Sequence, residues 1–402
     1  MAGQGRRRRT FHLDASSPTR QELAREAEHA VSRRARLRVA WAIIGAAGII
    51  GAAVAATLVV RQPSGASAEA VASQEGGTSL LAVVTEPSGR ATSIALIATR
   101  PGDPTQTVLF PPSLLVTLPG YGDGLISQVV EFGGPELARL SVSNLLGVRI
   151  DATVVVSAAS LQAALPGALA VELHAPLLVP DQGGERVLAA TGRAPREPAV
   201  VESLLTEQGT GDELEWLKRQ GGVWRALLRA AGDQSQLAER LLSRTDAPAR
   251  AADLLVAAGR AEELLVTAVP ASRIAVGGET ERYQVSGEEA ADFVEGRLEF
   301  LRLRAEPRPR VEVLNGNGQV GTTHAVAEAL IRRGFRVVRT DNAERFDYQQ
   351  TQVIAQGRDY QQEALAVQEV LGRGEVILEL RRPSGVVDLT IIVGQDIPAE
   401  EG

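Results

Sequence analysis

Gly316, Gly318 and Gly321 spell G-x-G-x-x-G inside VEVLNGNGQVGTTHAVAEALIRRGFRV, residues 311–337. The chemistry of that spacing is phosphate recognition. Glycines let the backbone approach a pyrophosphate, and the following helix N-terminus attracts it. A strand-like run precedes the glycines, a helix-like run follows them, and Asp341 lies twenty positions after Gly321, where a carboxylate would take a ribose hydroxyl. Three features oppose a dinucleotide site. A complete fold of that kind needs about two βαβαβ halves, and only about 90 residues remain. Asn315 stands between the strand and the first glycine and shifts the fingerprint by one. The segment also falls on the outer side of the membrane span read below, where NAD is not supplied. Gly316, Gly318 and Gly321 are therefore read as structural, making a turn and a close strand–helix approach, with no cofactor. Asp341 and Asn342 end a strand in a turn.

Other chemistry is sparse. The absence of cysteine excludes disulfides, thiolate metal sites and a cysteine nucleophile. His12, His29, His174 and His324 are far apart and form no metal-binding spacing, so no metal centre is expected. The chain is 44% hydrophobic and 23% charged, ordinary for a folded protein, and its 402 residues allow two or three domains.

Residues 39–60 (VAWAIIGAAGIIGAAVAATLVV) carry no charge. At ~1.5 Å rise per residue this run spans a ~30 Å hydrocarbon core. Arg33, Arg34, Arg36 and Arg38 crowd its N-terminal end and Arg61 alone follows closely. The positive-inside rule places residues 1–38 in the cytoplasm and the bulk outside, a single-pass cell-membrane topology. The basic tail is a topology signal or a contact for anionic lipid; without interleaved aromatics it is not read as a nucleic-acid site. Residues 61–77, rich in Ser, Ala, Gly and Glu, form a linker.

Beyond the linker, 78–85, 93–98 and 107–110 read as strands separated by the turns EPSG and RPGD, an antiparallel arrangement. Helix-like runs through 125–147 precede a strand at 151–156 and a helix start at 160–164. Strands mixed with helices predict an α/β layer structure, and RAEPRPR, 304–310, a proline-broken linker ending the domain. Residues 311–396 predict a small second α/β module. In it 359–371 is a helix, and 375–380 and 386–393 pair as a hairpin around Arg382–Gly385.

The run LLVTLPGYG (114–122), then EFGGPELARLSVSNLLGVRIDATVVVSAASLQAAL (131–165), resembles the LytR-CpsA-Psr family, and GDELEWLKRQ (211–220) resembles its late helix. The resemblance implies a mixed-sheet α/β sandwich over 78–305, outside the membrane. It also implies transfer of polyprenyl-pyrophosphate-linked glycopolymer to peptidoglycan, by Arg and Asp side chains around pyrophosphate and Mg²⁺. The chain departs from that pattern. EGGTS (75–79) replaces the family's R-S-D-T-M, and Pro112 and Ser113 stand where it has Arg and Asp. In the stretch matching Y-x-R-x-R, Arg193 alone is basic. Pro and Ser supply neither a guanidinium fork nor a charged metal ligand. The expectation is a degenerate, non-catalytic relative, with Arg193 and Arg219 as candidate phosphate-binding residues. Arg219 has a second reading, a salt bridge to Asp212 or Glu215 on its own helix.

Residues 311–397 resemble the LytR C-terminal domain, through VEVLNGNGQVG, then GFRV (334–337) and DLTIIVGQD (388–396). The two resemblances together imply an envelope protein that binds wall glycopolymer, a polyprenyl-linked precursor or an envelope ligase. The alternatives are an active, Mg²⁺-dependent glycopolymer transferase and an extracytoplasmic nucleotide-binding protein.

Overall fold

The computed structural model describes residues 76–398 apart from 244, 249, 276–280, 306 and 381–384. The basic tail, the apolar run 39–60 and the linker up to residue 75 lie outside the described residues. Among the described residues no helix is long and apolar enough to cross a membrane.

Strands β1 (Thr78–Thr85), β2 (Ala91–Thr99) and β3 (Thr105–Phe110) form an antiparallel meander whose residues are almost all buried. Their near-continuous apolar and β-branched content fits a sheet covered on both faces. Gly89 (φ 86°) and Gly102 (φ 87°) close the two turns in the left-handed region that favours glycine. A hairpin follows, β4 (Leu115–Leu118) and β5 (Gly122–Leu125), then the helix α1 (Val129–Leu146). Gly133 and Gly134 break α1 near its start, Gly134 at φ 63°, and Pro135 reopens it from the first-turn position proline tolerates. Strand β6 (Ala152–Ser157) returns parallel to β1. Helix α2 (Ala158–Ala164) leads to two peripheral ribbons. In these, β7 (Leu169–Leu173) pairs β10 (Gly192–Arg196), and β8 (Leu177–Asp181) pairs β9 (Gly184–Ala189).

Helices α3 (Pro198–Thr206), α4 (Glu213–Asp233), α5 (Ser235–Leu242) and α6 (Arg250–Arg260) come next, then β11 (Leu264–Ala268), parallel to β3. The domain ends with a β12 (Ser272–Ala275) and β13 (Glu281–Gln284) ribbon and α7 (Gly287–Arg297). Ser286 caps α7 in a capping box with Glu289. The main sheet runs β11-β3-β2-β1-β6. Alternate β1 side chains enter different cores. Leu80, Ala82 and Val84 pack with Trp224 and Leu227 of α4, and Leu81 and Val83 pack with Leu137 and Val142 of α1. That period of two makes an α/β/α sandwich with a mixed sheet, the expected class.

The C-terminal module contains β14 (Arg310–Asn315), α8 (Thr322–Arg332), β15 (Arg336–Asn342), β16 (Gln352–Gln356), α9 (Gln361–Leu371), β17 (Glu375–Glu379) and β18 (Leu389–Val393). Its sheet runs β15-β14-β18-β16-β17. It holds two parallel βαβ units with β18 between them, parallel to β14 and antiparallel to β16. The expected hairpin of 375–380 with 386–393 is therefore not made. Strand β16 lies between β17 and β18, because a helical crossover needs its two strands side by side.

Within 304–310, the segment read as a linker, one residue is buried. Arg308 is 5% exposed and donates to the Asn144 and Leu145 carbonyls at 3.0 and 3.2 Å. It thus satisfies orphan acceptors at the end of α1 with a cation, where the helix dipole favours one. The described residues lie in one compact unit, and the module is docked on α1. The Asn144 side chain acts as an extra strand residue against β15: Nδ2 donates to the Val337 carbonyl (2.7 Å) and Oδ1 accepts from the Val337 amide (2.9 Å). Leu140 of α1 joins the module's own core, and Arg139 pairs with Glu328 at 3.2 Å. The turn of the LPGYG motif contributes as well. His324 Nδ1 lies 3.0 Å from the Pro119 carbonyl, and the Gly122 amide donates to Thr340 Oγ1 at 3.0 Å.

Two outcomes follow. Asn144→Ala strands the Val337 amide and carbonyl in a buried joint, a loss of about 2–4 kcal/mol; denaturant unfolding and faster protease cleavage near 302–310 would report it. Within the module, burial pushes the Asp388 carboxyl up, but hydrogen bonds from Arg310 outweigh it and hold it below the ordinary carboxylate range. A depressed folded value gives stability present above the unfolded value and lost as pH falls through the folded one, that is below about pH 4. Asp388→Asn should cost about 1–2 kcal/mol at pH 7, allowing for the partial exposure of Arg310, and flatten that acid limb in a pH series of melts.

Candidate functional site

The end of β3 delivers Pro111, Pro112 and Ser113 to the N-terminus of α4. Asp212 caps that helix, its Oδ1 accepting from the Glu215 amide at 2.7 Å. Glu213, the first helical residue, turns back to Ser113: one carboxylate oxygen accepts the Ser113 amide (2.8 Å) and the other the Ser113 hydroxyl. Strand β13 closes the other side, with the Tyr283 amide donating to the Ser113 carbonyl at 3.4 Å. Tyr283 is 1% exposed; burial pushes its phenol up, opposed by the neighbouring Arg273. Arg273 also lies 3.8 Å from Asp212. An acid pair, a serine, a tyrosine and an arginine thus converge where the family resemblance puts pyrophosphate chemistry.

The groups nearest Ser113 are acidic, and the arginine of the cluster, Arg273, stands beside Asp212. The Ser113 donors already hold a carboxylate, and Asp212 adds a second negative group. The donor set does not fit a divalent ion. Asp212 and Glu213 are engaged on backbone and serine, and among the described residues no three Asp, Glu or His side chains converge on one point.

Arg219, on the next turns of α4, is 1% exposed. Its Nη1 donates to the Pro176 carbonyl at 3.2 Å and its Nη2 to the Gln208 carbonyl at 2.5 Å. Burial lowers its pKa, with Glu215 and Asp212 opposing at longer range. Neither acid makes the anticipated ion pair; the guanidinium instead ties the β7–β8 connection and the α3–α4 loop to the helix. Arg193 stands exposed on β10, opposite Glu172 of β7. The structure does not bring the two arginines onto one surface.

The neighbour of Arg219, Gln220, is fully buried. It accepts from Ser93 Oγ at 2.9 Å and donates to the Thr92 and Leu205 carbonyls, while Trp224 Nε1 donates to the same serine. Beneath this network lies an apolar cavity of ≈30 Å³ between the sheet and α4, lined by residues such as Leu80, Val154 and Leu228. That is room for about one water, not for a lipid chain.

The glycine loop holds its own polar groups. Asn315 Oδ1 accepts the Asn317 and Gly318 amides, and Asn317 Oδ1 accepts the Gln319 amide. A Cβ on Gly316 would stand 2.7 Å from Ile392 and 2.8 Å from the Val393 carbonyl, and Gly318 and Gly321 have φ of 73° and 90°. Asp341 pairs with Arg339 at 2.7 Å.

Sequence reading missed Glu213, Arg273 and Tyr283. The pair Ser113–Glu213 is 100 positions apart, and nothing local couples them. The one available signal was an acid directly after a Gly-Asp cap, which the dipole argument places at a helix start.

Residues 308–396 match the family model described as LytR cell envelope-related transcriptional attenuator, so the C-terminal resemblance holds almost to the expected bounds. No curated protein matches the chain significantly. Among solved structures the chain is similar to B. subtilis TagV, with 15% identity and a TM-score of 0.48 over 57% of this chain and 98% of that one. It is similar to TagT bound to LIIa-WTA (14%, 0.46, 56% and 91%) and to a LytR-Csp2A-Psr enzyme from Actinomyces oris (17%, 0.43, 57% and 91%).

Arg219→Met should lower stability by about 2–4 kcal/mol in denaturant titration, since two buried carbonyls lose their donors. Phosphate or pyrophosphate binding, measured by calorimetry, should be the same in both forms.

Proposed function

We propose that this is a membrane-anchored, extracytoplasmic envelope protein of the LytR-CpsA-Psr type that has lost transferase chemistry and binds wall glycopolymer. The observation that carries the reading is Glu213 bound to the Ser113 amide and hydroxyl. Displacement at a pyrophosphate needs cations on the developing oxygen charge. Here the matching position presents a carboxylate held by the only donors the segment offers. Repulsion between that carboxylate and a pyrophosphate acts at close range in a half-buried site, where solvent screens it poorly. Arg219, the cation expected from sequence, faces carbonyls inside the fold, and Arg273 stands beside the carboxylate of Asp212.

Between the binding partners weighed from sequence, the glycan portion is favoured over the lipid portion. The apolar space under the sheet is closed to about one water's volume. The membrane anchor, with its N-terminus inside, rests on the uncharged run 39–60 and its flanking arginines. Envelope ligases remain the protein partners that the two-domain resemblance implies.

The test uses the full-length chain in detergent, a polyprenyl-pyrophosphate-linked glycan, peptidoglycan acceptor and Mg²⁺. No release of polyprenyl phosphate above the blank is expected, beside a competent family member as control, while labelled wall polymer is retained by the protein. Mg²⁺-dependent release that disappears in Ser113→Ala would overturn the reading.

A further inference from the structure

We infer that the cleft between the β4–β5 hairpin, α1 and the start of β15 is a binding site for a single neutral sugar ring. The cleft has a volume of ≈300 Å³ and draws its walls from both domains. That is the lower end of the ~300–1,000 Å³ typical of small-molecule pockets. It exists only because the module docks on α1, and Asn144, which makes the joint, is part of its lining.

Ser141 points to a ligand. It lies on α1, 1% exposed, in the wall of the cleft, and its Oγ has no hydrogen-bond partner. A helical serine ordinarily bonds back to a carbonyl of the preceding turn or faces water. Ser143, two residues on, donates to the Val148 carbonyl at 2.7 Å. Ser141 does neither, and a buried hydroxyl without a partner is costly. That hydroxyl has almost no open surface as it stands, and rotation about χ1 toward the cleft lets a hydroxylated ligand there supply the missing bond.

The other walls define its class. Asp123 and Arg336 give one charge of each sign, so the cleft selects neither an anion nor a cation by field. Thr117 and the exposed Gln284 add a hydroxyl and an amide, which donate and accept. Val116 and Val285 supply apolar wall against which the C–H faces of a ring can pack. Mixed donors and acceptors around an apolar floor, without net charge, match a pyranose better than a phosphate or a lipid tail.

This inference rests on the glycopolymer reading and assigns where one sugar unit of the polymer would sit. Saturation-transfer NMR on the full-length chain in detergent, with free glucose, galactose and N-acetylglucosamine as probes, tests it. Transfer to at least one sugar is expected, with affinity reduced tenfold or more by Ser141→Ala and by Gln284→Ala. Both variants should fold: the first removes an unpaired hydroxyl and the second trims an exposed side chain. Absence of transfer to all three sugars, or equal binding in wild type and both variants, would overturn the site. Polymer retained by wild type and Ser141→Ala alike, with no free sugar bound, would remove this inference and leave the envelope reading standing.

Discussion

Helix α1 is buried from two sides, and the rest of the architecture depends on that. Leu137 and Val142 pack under the main sheet, Leu140 enters the core of the C-terminal module, and Arg308 and Asn144 close the C-terminal end. A helix so placed leaves little polar surface to water, so each backbone group at the joint needs a protein partner. Asn144 serves as one because its amide copies the donor–acceptor pair of a strand residue. It covers the β15 edge that would otherwise stay unpaired. The cleft beside it is a by-product of the same contact.

The motif that signals the family therefore has a packing role here. LPGYG forms the turn on which the module rests, with Pro119 and Gly122 in direct hydrogen bonds to it. GGP lets α1 start twice and aim its longer segment across the sheet. The positions that carry pyrophosphate chemistry in the family resemblance hold Pro112 and Ser113 instead.

Much of this was legible from sequence where the signal is local. The meander β1–β3 could be read because β-branched runs alternate with Gly-bearing turns. In the loop 316–321 the Asn317, Gly318 and Gln319 amides bond to the side chains of Asn315 and Asn317. What failed was long-range. Two strands flanking a turn-like RPSG look like a hairpin, yet β16 intervenes, and no local pattern encodes that. Arg308 read as linker charge because nothing in RAEPRPR announces a helix end more than 150 residues earlier. Arg219 looked like a phosphate ligand or a surface ion pair, and only burial shows that it braces loops.

The middle place of β18 in the module's sheet has a consequence for the order in which the molecule assembles. The two βαβ units, 310–342 and 352–379, touch through the strand that is made last, Leu389–Val393. During synthesis the larger domain has all its strands long before that segment exists. The Leu140 side of α1 then waits, uncovered, for β18. Completion of the second domain thus waits for β18, and deletion of 389–393 would remove the seam that joins both halves.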